Sequence, residues 1–129
     1  MNKCAKQQEY NGVVGMDKLI QSSTITLRWL KRIKSEIEEK APSLRYKDAE
    51  YYAQFWSPEK NKNIAQINPL RKKIRVFLRL DPSCDPQLQL TSSTSRYAKS
   101  YPSLFLIVDE NMIGKAVELI ISSYENTRR

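Results

Sequence analysis

The chemistry available to this chain is concentrated in residues 73–81, where Lys73, Arg75, Phe77 and Arg79 alternate with Ile74, Val76, Leu78 and Leu80. Period-two alternation is the pattern of a β-strand, because successive side chains there stand on opposite faces. One face is apolar and suited to a core. The other carries cations and an aromatic ring, which between them can neutralise phosphates and stack on unpaired bases. The Arg71, Lys72, Lys73 turn before the strand extends that surface, as do Arg96 and Lys99 after it. The candidate nucleic-acid-binding set is therefore Arg71, Lys72, Lys73, Arg75, Phe77, Arg79, Arg96 and Lys99.

Charge is placed unevenly along the 129 residues, whose formal net charge is +8. Residues 60–108 hold nine basic side chains against Asp81 and Asp85, a net of +7, while the flanking segments nearly cancel. A concentrated positive field raises the local concentration of polyanions, of which nucleic acid is the commonest. The same charge on a surface that binds nothing would serve solubility alone.

Catalysis finds little support in the residue types. Histidine is absent, and Cys4 and Cys84 are isolated thiols, so the usual zinc sets cannot be assembled from this chain. The three glycines, Gly12, Gly15 and Gly114, are scattered and form no phosphate-cradling loop. Paired carboxylates can hold a hydroxide-activating metal, and three such pairs exist: Asp48 with Glu50, Asp81 with Asp85, and Asp109 with Glu110. Each has a plainer reading. Asp109 suits a helix cap, Asp81 and Asp85 flank turn-forming prolines, and Asp48 with Glu50 precedes a strand. A non-enzymatic protein with no metal and no cofactor is expected.

The elements that must position the basic strand follow from periodicity. Residues 1–15 show neither helical nor strand spacing and read as a mobile arm, leaving residues 16–129 as a single domain. Leu19, Leu27, Leu30, Ile33 and Ile37 recur at helical spacing, with Ser22, Ser23 and Thr24 as caps and Pro42 as a stop. Ile25 and Trp29 lie off that stripe. An aromatic strand is expected over residues 50–57, a second over residues 64–68, and the basic strand third. Residues 81–102, with Pro82, Pro86, Pro102 and the run Thr91 to Ser95, read as a long loop. Residues 104–108 form a fourth strand, and Asp109 then caps a helix whose Ile113, Ala116, Val117, Ile120 and Tyr124 share one side.

The expected fold is α+β: an antiparallel four-stranded sheet with an N-terminal and a C-terminal helix packed on one face, in the order α-β-β-β-β-α. Its other face would be open, carrying Arg75, Phe77 and Arg79 with either Tyr52, Gln54 and Trp56 or Tyr51 and Phe55. That face matters only if residues 81–102 leave it uncovered.

The stretch Asn68-Pro-Leu-Arg-Lys-Lys-Ile-Arg-Val-Phe-Leu-Arg-Leu-Asp-Pro, the strand at residues 104–108 and the helix ending at Tyr124 carry a resemblance. Over residues 20–125 the chain resembles an uncharacterised bacterial and archaeal domain family often labelled a predicted transport protein. Its members are frequently joined to predicted restriction-type nucleases, and their element order is similar to double-wing and frataxin-like folds. The resemblance implies an accessory role in DNA processing. The functional expectation is a small basic module that binds nucleic acid, DNA foremost. Its alternative is a protein-interaction module that docks on a nuclease or forms a homodimer. No apolar run nears the roughly 18 residues of a membrane span and no apolar leader core is present, so no membrane partner and a cytoplasmic address are expected.

Overall fold

Thr26, Trp29, Leu30, Ile33 and Ile37, three or four apart, give helix α1 (Thr24–Lys40) one buried side. In the computed structural model, which describes residues 19–128, α1 starts from a reciprocal cap. Ser23 Oγ accepts from the Thr26 amide, and Thr26 Oγ1 accepts from the Ser23 amide. The same two hydroxyls donate onward to the carbonyls of Arg71 and Leu70, each at 2.6 Å, so the basic turn is stitched to the helix start. The arm expected over residues 1–15 lies outside the described residues, as does Cys4.

Strand β1 (Arg45–Asp48) turns back into β2 (Ala53–Ser57), and β3 (Lys62–Pro69) and β4 (Ile74–Leu78) follow as antiparallel neighbours. The β2–β3 turn places Asn61 at φ 54°, a left-handed conformation that asparagine tolerates. After a 3₁₀ turn (Pro82–Cys84) comes the two-residue strand β5 (Gln89–Leu90), then β6 (Ser103–Ile107). A second 3₁₀ turn (Glu110–Met112), capped by the Asp109 carboxylate, leads into α2 (Ile113–Asn126). The sheet order is β1-β2-β3-β4-β6-β5, antiparallel throughout.

The α+β class with two helices and an antiparallel sheet is as expected, but the sheet has six strands rather than four. Both additional strands lie at the edges. β1 reads Arg-Tyr-Lys-Asp, and only Tyr46 of it meets the core, because an edge strand buries one side of one pair. β5 is two exposed residues held by pairing with β6 alone. The strand expected over residues 50–57 begins at Ala53, since residues 49–52 make the β1–β2 turn.

Register defines two faces. On one, Ala53 and Phe55, Ala65 and Ile67, Ile74, Val76 and Leu78, and Phe105 and Ile107 form rows that are all buried beneath α1 and α2. The four alternate residues expected as core, Ile74, Val76, Leu78 and Leu80, are there. Ser123 of α2 fastens the layers: its Oγ donates to the Ile64 carbonyl at 2.8 Å and accepts from the Arg79 amide at 3.0 Å. Trp29 turns inward with the core, whereas Ile25 is half exposed. The other face carries Gln54, Gln66, Asn68, Arg75, Phe77, Leu104 and Leu106, so of the two expected sets Gln54 and Trp56 are β2's contribution, with Tyr52 in the turn before the strand.

Candidate nucleic-acid interface

The second face is roofed at its centre by residues 91–102. Its serines and threonines bend the chain through their own hydroxyls: Ser92 Oγ accepts from the Thr94 amide at 3.3 Å and Ser95 Oγ from the Tyr97 amide at 3.1 Å. Backbone bonds from Ser95 to Ser92, from Ala98 to Ser95 and from Tyr101 to Tyr97 continue the coil, and the Thr91 amide donates to the Pro102 carbonyl to close it. Two tyrosines then reach down onto the sheet. Tyr97 packs on Phe77 with ring centroids 4.7 Å apart, and Tyr101 lies under the Arg79 guanidinium at 5.4 Å. Burial pushes the Tyr101 phenol up to about 12, although Arg79 pulls the other way.

This cover alters the standing of the sequence-derived residues. Phe77 is 5% exposed and spends its ring on Tyr97, so the expected open stacking platform is closed. Arg79 is half-buried, its Nε donating to the Asn63 carbonyl and its plane stacked on Tyr101, which makes it a clasp between strand and loop. Arg71 and Lys72 are exposed, but they line a broad apolar-floored hollow with Gln21, Leu70, Lys73 and Val108 near the start of α1. Arg75 remains exposed on the second face, and Arg96 stacks over Tyr97 at 5.6 Å from outside. Lys99 is exposed on the same loop.

What stays open between β4, β6 and the loop is a groove of 310 Å³. Phe77, Leu104 and Leu106 line it on the sheet side, Lys73 and Arg75 add cations, and Gln89, Thr91, Ser92 and Ser95 come from the edge strand and loop. No carboxylate is among its described lining residues. Among the described residues Lys73, Arg75, Arg96 and Lys99 form no ion pair; on the helices Arg32, Lys34, Lys40 and Lys115 do, and Arg28 and Lys31 do not. Arg32 bridges Glu36 and Glu110, Lys34 bridges Glu38, and Lys115 bridges Asp85 at 2.5 Å and Glu118 at 3.3 Å.

The groove thus unites Lys73, which also borders the hollow, with Arg75 and Phe77 from the expected set, and leaves Arg71, Lys72, Arg79, Arg96 and Lys99 outside its lining. Its hydroxyls and leucines escaped sequence reasoning for two reasons. The Thr91 to Ser95 run reads as a loop with no indication of where it folds. The stretch Leu104-Phe-Leu-Ile-Val108 is apolar at every position, so nothing in it marks Leu104 and Leu106 as the outward pair. The four-residue spacing of Tyr97 and Tyr101 was the available sign that the loop has a buried side. For the acidic pairs, Asp85 is held by Lys115 and Asp81 caps the 3₁₀ turn through Ser83. No trio of histidine, cysteine, aspartate or glutamate side chains able to hold a metal occurs among the described residues. Comparisons with protein-family models, curated proteins and solved structures returned no match.

Proposed function

We propose that this protein is a small non-enzymatic module that binds nucleic acid, DNA foremost, as an accessory to DNA-processing machinery. The observation that carries the reading is the gathering of cations beside a groove whose described lining holds no carboxylate. Lys73 and Arg75 line that groove, Arg96 and Lys99 stand on the loop that borders it, and none of the four has a carboxylate partner among the described residues. Lysines and arginines left free on one face give a net positive field there, and phosphates are the polyanion that such a field collects. The resemblance to domains joined to restriction-type nucleases favours DNA among the polyanions.

The roof over Phe77 shapes the mode of contact. With the sheet centre closed, contact runs through Arg75, Arg96 and Lys99 on the rim and Lys73 at the groove. Backbone contacts of this kind position a strand without reading its sequence. The test is a mobility-shift titration of the full chain against duplex and single-stranded oligonucleotides at two salt concentrations. Binding at low salt that weakens steeply at high salt is the expected result. Absence of a shift at low salt, where phosphate contacts are strongest, overturns the proposal.

A further inference from the structure

The tyrosines of the roof rest on Phe77 and Arg79, while the outer strands β1 and β2 keep their side chains of the same face in solvent. Arg45 and Lys47 are exposed there, and Trp56 is partly exposed. Register explains the grouping. Arg45 stands directly opposite Trp56 and Lys47 opposite Gln54, whereas Tyr46 and Asp48 pair with Phe55 and Ala53 of the helical face. Alternation therefore brings both cations of β1 beside the indole and turns the carboxylate of that strand to the other side. Lys47 lies on the diagonal from Trp56, a separation that a long side chain spans. Among the described residues neither cation forms an ion pair, and no ring or cation packs on the indole. From this arrangement we infer that Trp56 is a stacking platform for an unpaired base of single-stranded nucleic acid, with Arg45 and Lys47 holding the phosphates on either side of that base. The inference rests on the nucleic-acid reading above and names single strands as its ligand.

Three considerations select this ligand. A ring on a sheet surface meets the flat side of a base, which is free only when the base is unstacked, whereas a duplex offers base edges at the bottom of grooves that admit a helix or a narrow ribbon. β1 and β2 are part of a six-stranded sheet with helices behind it, too broad an object to enter a groove. An acidic peptide would satisfy Arg45 and Lys47 but has no need of the indole, while a single strand alternates charge and ring along its length and uses both. Cations on an edge strand also deter pairing with another sheet, a role that leaves the solvent-facing tryptophan between them unexplained. Because Phe77 is closed beneath Tyr97, Trp56 is the ring of this face that takes over the stacking role expected of the basic strand.

The experiment titrates the full chain, at low salt, with a short oligothymidylate and with a duplex of the same length, reading binding by the anisotropy of a labelled oligonucleotide and stacking by intrinsic tryptophan fluorescence. The chain has two tryptophans, and Trp29 is only 7% exposed in the core, so quenching by a stacked base reports Trp56. Oligothymidylate is expected to bind and to quench, and duplex to leave the fluorescence unchanged. Trp56→Phe keeps a ring and should hold the single strand within about threefold while abolishing the quenching, whereas Trp56→Leu, apolar but without a π-face, should weaken it by about tenfold. The two variants separate stacking from a packing role, which either side chain would fill. Arg45→Gln with Lys47→Gln should lower the salt slope for the single strand by about two. Single-strand binding without quenching, equal quenching by duplex, or unchanged affinity in Trp56→Leu overturns the inference and leaves the nucleic-acid reading standing. Absence of binding to either oligonucleotide by anisotropy overturns both.

Discussion

Both faces of the central sheet are made by the same strands, yet they are covered in different ways and carry different charge. Beneath α1 and α2 the rows of Phe55, Ile67, Val76 and Phe105 are closed to solvent, and on the helices Arg32, Lys34, Lys40 and Lys115 are paired with carboxylates while Arg28 and Lys31 are not. On the reverse face a coiled loop replaces the helices. It lays Tyr97 on Phe77 and Tyr101 against Arg79, leaving a groove beside which Lys73, Arg75, Arg96 and Lys99 form no ion pair among the described residues. A helix can cover a sheet completely because it presents a continuous apolar stripe. A loop rich in Ser and Thr has only a few side chains to lay down, here Tyr97 and Tyr101, so its cover is incomplete and polar. Apolar burial is therefore concentrated on one side, and the open groove lies on the other.

The contrast can be broken most sharply from the helical side. Phe105→Ala empties a site that is 1% exposed, and a loss of about 3–5 kcal/mol in denaturant-derived stability is expected. On the loop side, Tyr97→Ala removes a half-buried ring from Phe77 and should cost only about 1–2 kcal/mol. It should also make residues 91–102 the first site of limited proteolysis. If the two losses were equal, the faces would share the work of stabilisation and the comparison would fail. These two substitutions bear on packing, and the packing of the helical face was largely readable beforehand. Ile74, Val76, Leu78 and Leu80 announce their face by strict alternation, whereas nothing local to Phe77 shows that a tyrosine twenty residues later will cover it.

Charge reversal tests the other half of the contrast. Lys73→Glu with Arg75→Glu should leave stability within about 0.5 kcal/mol, but weaken oligonucleotide binding by about tenfold or more at low salt. The salt slope should fall by about one for each cation lost. Arg32→Glu on the helical side, where the side chain bridges Glu36 and Glu110, should leave binding unchanged. Equal loss of binding in both variants would show that net charge alone drives association. Substituting Ser23→Ala at the α1 cap should cost about 1 kcal/mol, and it also unfastens the Arg71 carbonyl.

The smallest effect concerns acid stability. The hydrogen bond from Lys115 holds the Asp85 carboxyl below its ordinary 3.8, and the same contact raises the Lys115 ammonium above 10.5. A depressed carboxyl contributes stability that is present above its unfolded pKa and is lost as pH falls through the folded value. A raised ammonium contributes below its unfolded pKa and loses that contribution as pH rises through the folded value. Asp85→Asn should therefore flatten the melting-temperature profile below about pH 4 and above about pH 10. The pair is solvent-accessible, so the change should be slight.

Sequence alone determined what short-range periodicity can encode: the two helices with the Ser23 cap and Pro42 stop, the two-faced strand at residues 74–78, and the clustering of positive charge in residues 60–108. Those properties depend on neighbours a few positions apart, whose relative directions are set by backbone geometry. Tertiary structure decided the edge strands, the roof and the groove. Each depends on pairs far apart in the chain: Arg45 with Trp56, Gln89 with Leu104, Phe77 with Tyr97, and Arg79 with Tyr101. The path that brings such pairs together is fixed by loop closure and competition for buried area, which no local pattern records. The basic strand was legible as a surface. Its division into a clasp at Arg79, a covered ring at Phe77 and free cations at Lys73 and Arg75 came only with the loop folded over it.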